Sequence, residues 1–303
     1  MILKLSLDGF IIVDKPIGYT SADVIRDIKR LIDRQKIGHG GTLDPMANGV
    51  LPIGLGKATR LMEYLLDENK EYLATFRLGE ITDTYDCTGA IVAKNNYSYI
   101  TQEIIEKSLP RFTGWIYQKP PKFSALKFKG RRSYDLARAG VEFDLNPRLV
   151  KVHSISLERF QPPDVDFRIT CSRGFYVRSL ANDLGEYIGC GAHVLNLTRL
   201  KVGPFKLLNS VALNELKRYN FQDLFPQIIK PMDEVVKRLR SLSLNTNQES
   251  NFKMGKPVSL FNDSLKFRDD EHLRIYNESC DFFAIGKYNA IKKLLLPFKV
   301  FSS

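Results

Sequence analysis

Gly38-His39-Gly40-Gly41-Thr42-Leu43-Asp44-Pro45-Met46-Ala47-Asn48-Gly49-Val50-Leu51-Pro52 is the stretch on which the rest of the chain turns. Its glycines and prolines set the backbone for tight turns and close approach rather than for a helix or a core strand. A single carboxylate, Asp44, stands among small and apolar neighbours, and Pro45 fixes the chain just after it. A solvated loop usually carries several charges, so one acid in an uncharged, shaped loop suggests a group held in a pocket. From these residues alone, a structural turn and a functional loop are equally good readings.

The chain has 303 residues, more than the usual ~100–200 per domain, which suggests one large domain and a small one. A hydrophobic content of 44% supplies a core, and a net charge of +11 calls for a polyanionic partner, best RNA or DNA. No apolar run approaches the ~18 residues of a membrane span. Met1 to Asp8 is too short and too soon interrupted to be a signal peptide. Cys87, Cys171, Cys190 and Cys280 form no C-x-x-C pair and read as reduced, mostly buried thiols of a cytosolic protein. His39, His153, His193 and His272 show no metal-ligand spacing, so no metal is expected.

Upstream of the loop, Gly9-Phe10-Ile11-Ile12-Val13 reads as a buried strand, and Thr20 or Ser21 caps a helix with Ile25, Ile28, Leu31 and Ile32 inward. The other side of that helix carries Arg26, Lys29, Arg30 and Arg34, a solvated face or an RNA contact. Downstream, Lys57 to Leu66 predicts a helix, and Tyr72, Ala74, Phe76 and Leu78 alternate as in a half-buried strand. A turn cluster runs from Thr82 to Gly89, and Thr101 opens a helix ending before Pro110.

Residues 119–151 hold nine Lys/Arg against three acids, a net of +6 over 33 residues. Phe123, Phe128 and Tyr134 are interleaved with the charge. Bases neutralise phosphates and rings stack on unpaired nucleotides, so this segment reads as a mobile arm that clamps a nucleic acid, against a plain solvated insertion. Strand patterns at Leu149–Phe160 and at Phe167, Ile169 and Cys171 lead to Ser172–Arg178 and a helix burying Leu180, Ala181, Leu184 and Ile188. Arg178 at that junction is oddly placed for a permanent charge. It either snorkels or has a partner carboxylate. The polar stretch Ser241 to Asn251 reads as the border of a second unit, with short apolar segments at Val258–Phe261, Leu273–Tyr276, Phe282–Ile285 and Leu294–Phe301 forming a β-rich module.

Gly54-Leu55-Gly56-Lys57-Ala58 fails as a phosphate-binding loop, since Leu51 stands where glycine is needed and Ala58 where a hydroxyl is needed. Asp83 and Asp86 could pair with Asp44 as glycosidase carboxylates, but the basic arm suits a neutral sugar poorly.

The sequence resembles the TruB family of tRNA pseudouridine synthases. Val13 to Ser21 is similar to the family's first motif, and Gly38 to Pro52 to the motif bearing its catalytic aspartate. Tyr72, Arg77-Leu78-Gly79, Thr82-Asp83-Thr84, Gly89, Gln118 to Ala125, Gly174 to Arg178 and Gly189 to Val194 continue the match in order, from about Gly9 to Phe205. Asn48 and Phe175 depart from it, standing where relatives often have a hydroxyl. The tail looks like a diverged PUA-type RNA-binding module, and its single short form resembles the bacterial branch, which modifies uridine 55 of elongator tRNAs.

The resemblance implies an α+β pseudouridine-synthase fold: a mixed, mostly antiparallel sheet flanked by helices, in a catalytic domain of residues 1–236. Residues 119–151 are its basic insertion and 237–303 a PUA-like domain. It implies Asp44 as nucleophile at C1′ or C6 of the uridine, Arg178 holding Asp44 ionised, and Tyr72 stacking on the uracil and handling the C5 proton. His39 would pack against the extruded nucleotides, with Tyr176 and Leu197 lining the uracil pocket. Lys15 and Pro16 would shape the loop, and Lys127, Lys129, Arg131 and Arg132 would grip RNA. The expected partner is the tRNA T stem-loop, bound by a cytoplasmic monomer without metal or cofactor. The rival reading is a tRNA-folding chaperone that retains the synthase shell.

Overall fold

The structure is a computed structural model describing residues 7–32, 35–124, 126–218, 227–260 and 267–301. Among the described residues ten strands form one mixed sheet. Its main order is Val211–Ala212, Gly9–Lys15, Asn48–Leu55, Ala192–Val202, Lys70–Leu78, Asp164–Cys171, Arg148–Gln161 and Gly114–Gln118. Ile37–His39 pairs with Asn48–Leu55, and Phe205–Lys206 with Ala192–Val202. Along this path pairing is antiparallel except where Gly9–Lys15 meets Val211–Ala212 and where Thr198 and Arg199 meet Asn48 and Gly49. The α+β reading and the mostly antiparallel sheet are therefore both seen.

The alternation read at Tyr72 to Leu78 sorts the central strands into two faces. Ala74, Phe76 and Leu78 join Val165, Phe167, Ile169 and Cys171 in the main core, closed by Val177, Leu180, Ala181 and Leu184 of the helix Val177–Tyr187. The other face carries ion pairs such as Arg168–Glu71 and Arg159–Asp166, at 2.9 and 2.7 Å. Gly9–Lys15 is buried on both sides, Phe10 and Ile12 in one cluster and Ile11 and Val13 in another. The second cluster takes Val24 and Ile28 from the helix Ser21–Leu31. Thr20 caps that helix in a reciprocal box with Asp23, which leaves the Ser21 hydroxyl free for other work. Arg26 and Arg30 on its outer side pair with Asp23 and Asp27. Arg34 lies outside the described residues.

Several expectations need correction. The second half of the organising stretch is a core strand, Asn48–Leu55, despite Pro52. Proline is tolerated because the strand changes partners there: residues 48 and 49 pair with Thr198 and Arg199, residues 53 to 55 with Ile37–His39. The helix expected from Lys57 begins as a tight 3-10 turn, Gly56–Leu61, because the chain leaves a strand through Gly56 at φ +55°; α-helix runs only from Met62 to Asp67. The last four residues of the 119–151 segment belong to the sheet strand Arg148–Gln161. Cys87 and Cys280 are exposed, so only Cys171 and Cys190 fit the buried-thiol reading.

The polar stretch Ser241 to Asn251 is regular secondary structure. It holds the strand Arg240–Ser243 and the helix Thr246–Lys253, which starts on an Asn245–Gln248 capping box. The strand pairs in parallel with His272–Tyr276 in a second, five-stranded sheet with Phe282–Asn289, Leu294–Val300 and Val258–Ser259. Phe261, at the end of one apolar segment, lies outside the described residues. Ile285 and Phe301 of this β-rich part pack with Val235, Val236 and Phe10. Lys299 Nζ reaches Glu63 Oε1 at 2.6 Å and the Arg60 carbonyl at 2.7 Å across the same contact. No helix among the described residues is long and apolar enough to cross a membrane.

Candidate active site

Asp44 sits at the head of the loop between Ile37–His39 and Asn48–Leu55. The first motif fixes that loop from one side. Ser21 Oγ accepts from Leu43 N at 2.9 Å, and Gly18 N donates to the Pro45 carbonyl at 2.8 Å. Lys15 is fully buried, and its Nζ donates to the carbonyls of Pro16 and Tyr19 at 2.9 and 2.6 Å, tying the turn that faces the loop. Burial pulls the Lys15 ammonium down to about 8, with Asp44 opposing.

Arg178 answers the question its position raised. It is the second residue of the helix Val177–Tyr187, and its side chain is 5% exposed. Nη2 donates to Asp44 Oδ1 at 3.1 Å, while Nε lies 2.9 Å from Oδ2, off the line of a hydrogen bond. Nη1 donates to Asp86 Oδ2 at 3.1 Å and to the Thr84 carbonyl at 3.2 Å; Nη2 also reaches the Phe123 carbonyl at 2.9 Å. One planar cation thus joins the Asp44 loop, the Thr82–Gly89 turn and the root of the basic segment. Asp86, which sequence reasoning weighed only as a glycosidase acid, is 4% exposed and anchors that turn. Its Oδ1 accepts from Thr84 Oγ1 and from Thr88 N, each at 2.9 Å. Asp83 faces elsewhere, accepting from Ala90 N.

Asp44 is the open member of this network, its side chain 35% exposed against 4% for Asp86. Burial among its neighbours pushes the Asp44 carboxyl above the usual range. Arg178 pulls the other way, Asp86 adds to the rise, and Lys15 opposes it. The upward direction means that Arg178 offsets the desolvation of Asp44 in part.

Tyr72 is half-buried on Lys70–Leu78, opposite Arg199 on one neighbouring strand and Ile169 on the other. Burial raises its phenol to about 12, against the pull of Arg199. Tyr176 precedes the Arg178 helix. Gln118, buried at the end of Gly114–Gln118, clamps its backbone by accepting from Tyr176 N at 2.8 Å and donating to its carbonyl at 3.0 Å. Burial raises the Tyr176 phenol too, and the Asp44 charge adds to the rise, so Tyr176 stands within electrostatic reach of the carboxylate. Leu197 is buried in the apolar cluster that includes Leu43 and Met46 on either side of Asp44. His39 ends the strand leading into the loop, its imidazole pushed down by burial and by Arg199. A cavity of about 270 Å³ is bounded by residues of Asp14–Ile17, Asn48 and Ala212–Asn214. None of the predicted substrate-holding residues lines it, so it is not the predicted uracil pocket.

Lys127, Lys129, Arg131 and Arg132 come together on a hairpin, Lys127–Phe128 with Arg131–Arg132, and all four are exposed. Lys129 and Gly130 turn it with positive φ, 48° and 84°. Leu136, Phe143 and Leu145 form a small core of their own beneath it, with Phe128 against them.

Two family models cover this framework. The model described as TruB family pseudouridylate synthase (N terminal domain) matches residues 29–177, and that described as tRNA pseudouridylate synthase B C-terminal domain matches residues 178–237. The chain belongs to the TruB family. A protein named tRNA pseudouridine synthase B from Dehalococcoides mccartyi is 39% identical over 279 residues, 92% of each chain. Its namesake in Francisella philomiragia is 38% identical over 97% of this chain and 96% of its own. Among solved structures, one described as an H/ACA RNP bound to a substrate RNA containing 2′-deoxyuridine matches with a TM-score of 0.74 and 26% identity. That match covers 98% of this chain and 86% of the other. The pseudouridine-synthase fold follows from these likenesses.

Arg199 is the residue that sequence reasoning passed over entirely. It lies in the strand Ala192–Val202, two residues beyond the buried Leu197 and so on the same face, and the signal was the same as for Arg178: a permanent charge where a core side chain belongs.

Proposed function

We propose that this protein isomerises uridine to pseudouridine in tRNA, at position 55 of the T loop of elongator tRNAs. The observation that carries the reading is the bond from the buried Arg178 to the open carboxylate of Asp44, with Asp86 holding the other side of the same guanidinium. A protein that only bound RNA would have no use for a buried cation spent on one reachable acid.

In this reading the T-loop uridine is extruded, at a cost on the order of a few kcal/mol of stacking. Asp44 attacks C1′ or C6, the N1–C1′ bond breaks, and the base turns within the pocket. C5 then bonds to C1′, the bond to Asp44 breaks to return its carboxylate, and C5 loses its proton while N1 gains one. Nothing is oxidised and no water is consumed, so the site must chiefly exclude water and keep the detached base. Tyr72 stacks on the uracil. Because its phenol stays protonated up to about 12, it takes the C5 proton only while passing on its own. Tyr176 and Leu197 hold the base, and His39 packs against the opened loop.

Residues 1–236 form the catalytic unit and 237–303 a PUA-like RNA-binding unit. The exposed cations of the 127–132 hairpin grip phosphates. The protein works as a cytoplasmic monomer. Pseudouridine mapping in tRNA treated with the purified protein tests the reading. A new pseudouridine at position 55 is expected; none, or one elsewhere, overturns it.

A further inference from the structure

Arg199 is 1% exposed, and among the described residues no carboxylate lies within ion-pair distance of it. Its donors go instead to the carbonyls of one loop. Nη2 donates to Gly41 at 3.0 Å, Nη1 reaches Thr42 at 3.4 Å, and Nε donates to Val50 at 2.8 Å. Gly41 and Thr42 lead into Asp44, and Val50 leads away from it, so the guanidinium closes the two feet of the loop whose head carries the acid.

The backbone repeats the tie. Arg199 pairs in parallel with Gly49, whose φ of +103° brings the strands so close that a Cβ there would lie 2.3 Å from the Arg199 carbonyl oxygen. On its other side Arg199 is paired with Tyr72. Burying a guanidinium without an acid is costly, and a neutral apolar side chain would pack this strand more cheaply. What the arginine provides is a rigid fork that reaches carbonyls on both feet at once, which a single ammonium cannot span.

We infer that Arg199 is a positioning residue for the reaction, holding the Asp44 loop and the adjacent Tyr72 strand in one register so that acid and phenol meet the flipped base together. This rests on the proposed role of Asp44. In this role Arg199 acts through the loop and through Tyr72, on whose phenol its guanidinium bears. Its charge also helps to depress the ammonium groups of Lys15 and Lys70, after burial in each case.

Arg199→Lys and Arg199→Gln, assayed with enzyme in excess over tRNA, separate positioning from mere support of the fold. With enzyme saturating as well as in excess, the amplitude counts convertible tRNA and the rate constant reports the folded complex, so a misfolded fraction does not blur the result. Displacement of a reacting group by about 1 Å costs on the order of 100-fold. The expected result is a single-turnover rate constant lower by about that factor in both variants, with tRNA affinity within about threefold. A wild-type rate constant at saturating enzyme in either variant overturns the inference, as does a fall in affinity that matches the fall in rate. A wild type that forms no pseudouridine instead sinks the reading of Asp44.

Discussion

Asp44, Arg178 and Asp86 act as one electrostatic unit, and its behaviour with pH follows from their arrangement. In the proposed reaction Asp44 attacks as a carboxylate, and the folded protein holds its carboxyl above the ordinary value of 3.8. Activity should therefore fall as pH drops through a point higher than that of a free aspartate, with kcat/KM against pH as the check. Asp86 is one cause of the rise, so Asp86→Asn should move this acid limb to lower pH. It should also lower the rate at neutral pH, because Arg178 loses its second acid. An acid limb that stays put or moves up would contradict the assignment. At this scale the sequence was half legible. Arg178 announced a missing carboxylate by its position, and the resemblance supplied Asp44. Asp86 could not be read as its partner, because the contact joins residues 92 apart through the fold of a turn.

Elements were legible where local chemistry decides them and not where a neighbour does. The Thr20 cap is local: its side chain and Asp23 satisfy each other's backbone donors. Thr20→Ala should cost about 1 kcal/mol, read as a fall of a few degrees in Tm. Asn48–Leu55 is the opposite case, a strand whose glycine and proline argue for a loop until its partners are known. Gly49 is needed there both for its positive φ and for the approach of the Arg199 backbone. Gly49→Ala should lower Tm and pseudouridine formation together; a fully active, equally stable variant would mean that the strand junction yields easily. The basic hairpin was legible as charge but not as a folded unit with its own small core. Arg131→Ala combined with Arg132→Ala should weaken tRNA binding and flatten its dependence on salt. If affinity and slope both stay unchanged, the hairpin does not grip phosphates.

For the molecule as a whole, the order of motifs told more than any composition. Net charge indicated a nucleic acid, and the motif order indicated the sheet. The β-rich C-terminal part was foreseen, but not how it is joined to the rest. Its Ile285 and Phe301 complete a cluster with Val235, Val236 and Phe10 of the larger unit. Deleting residues 238–303 should therefore bare apolar surface and lower Tm or solubility; a soluble fragment of unchanged Tm would make the two units independent. The central claim is that one acid in this framework does the chemistry while the rest of the surface holds the tRNA. Pseudouridine formation and tRNA affinity measured together for Asp44→Asn test it most directly. No product with affinity within a few fold of wild type is the expected result, and an Asp44→Asn protein that still forms pseudouridine would contradict it.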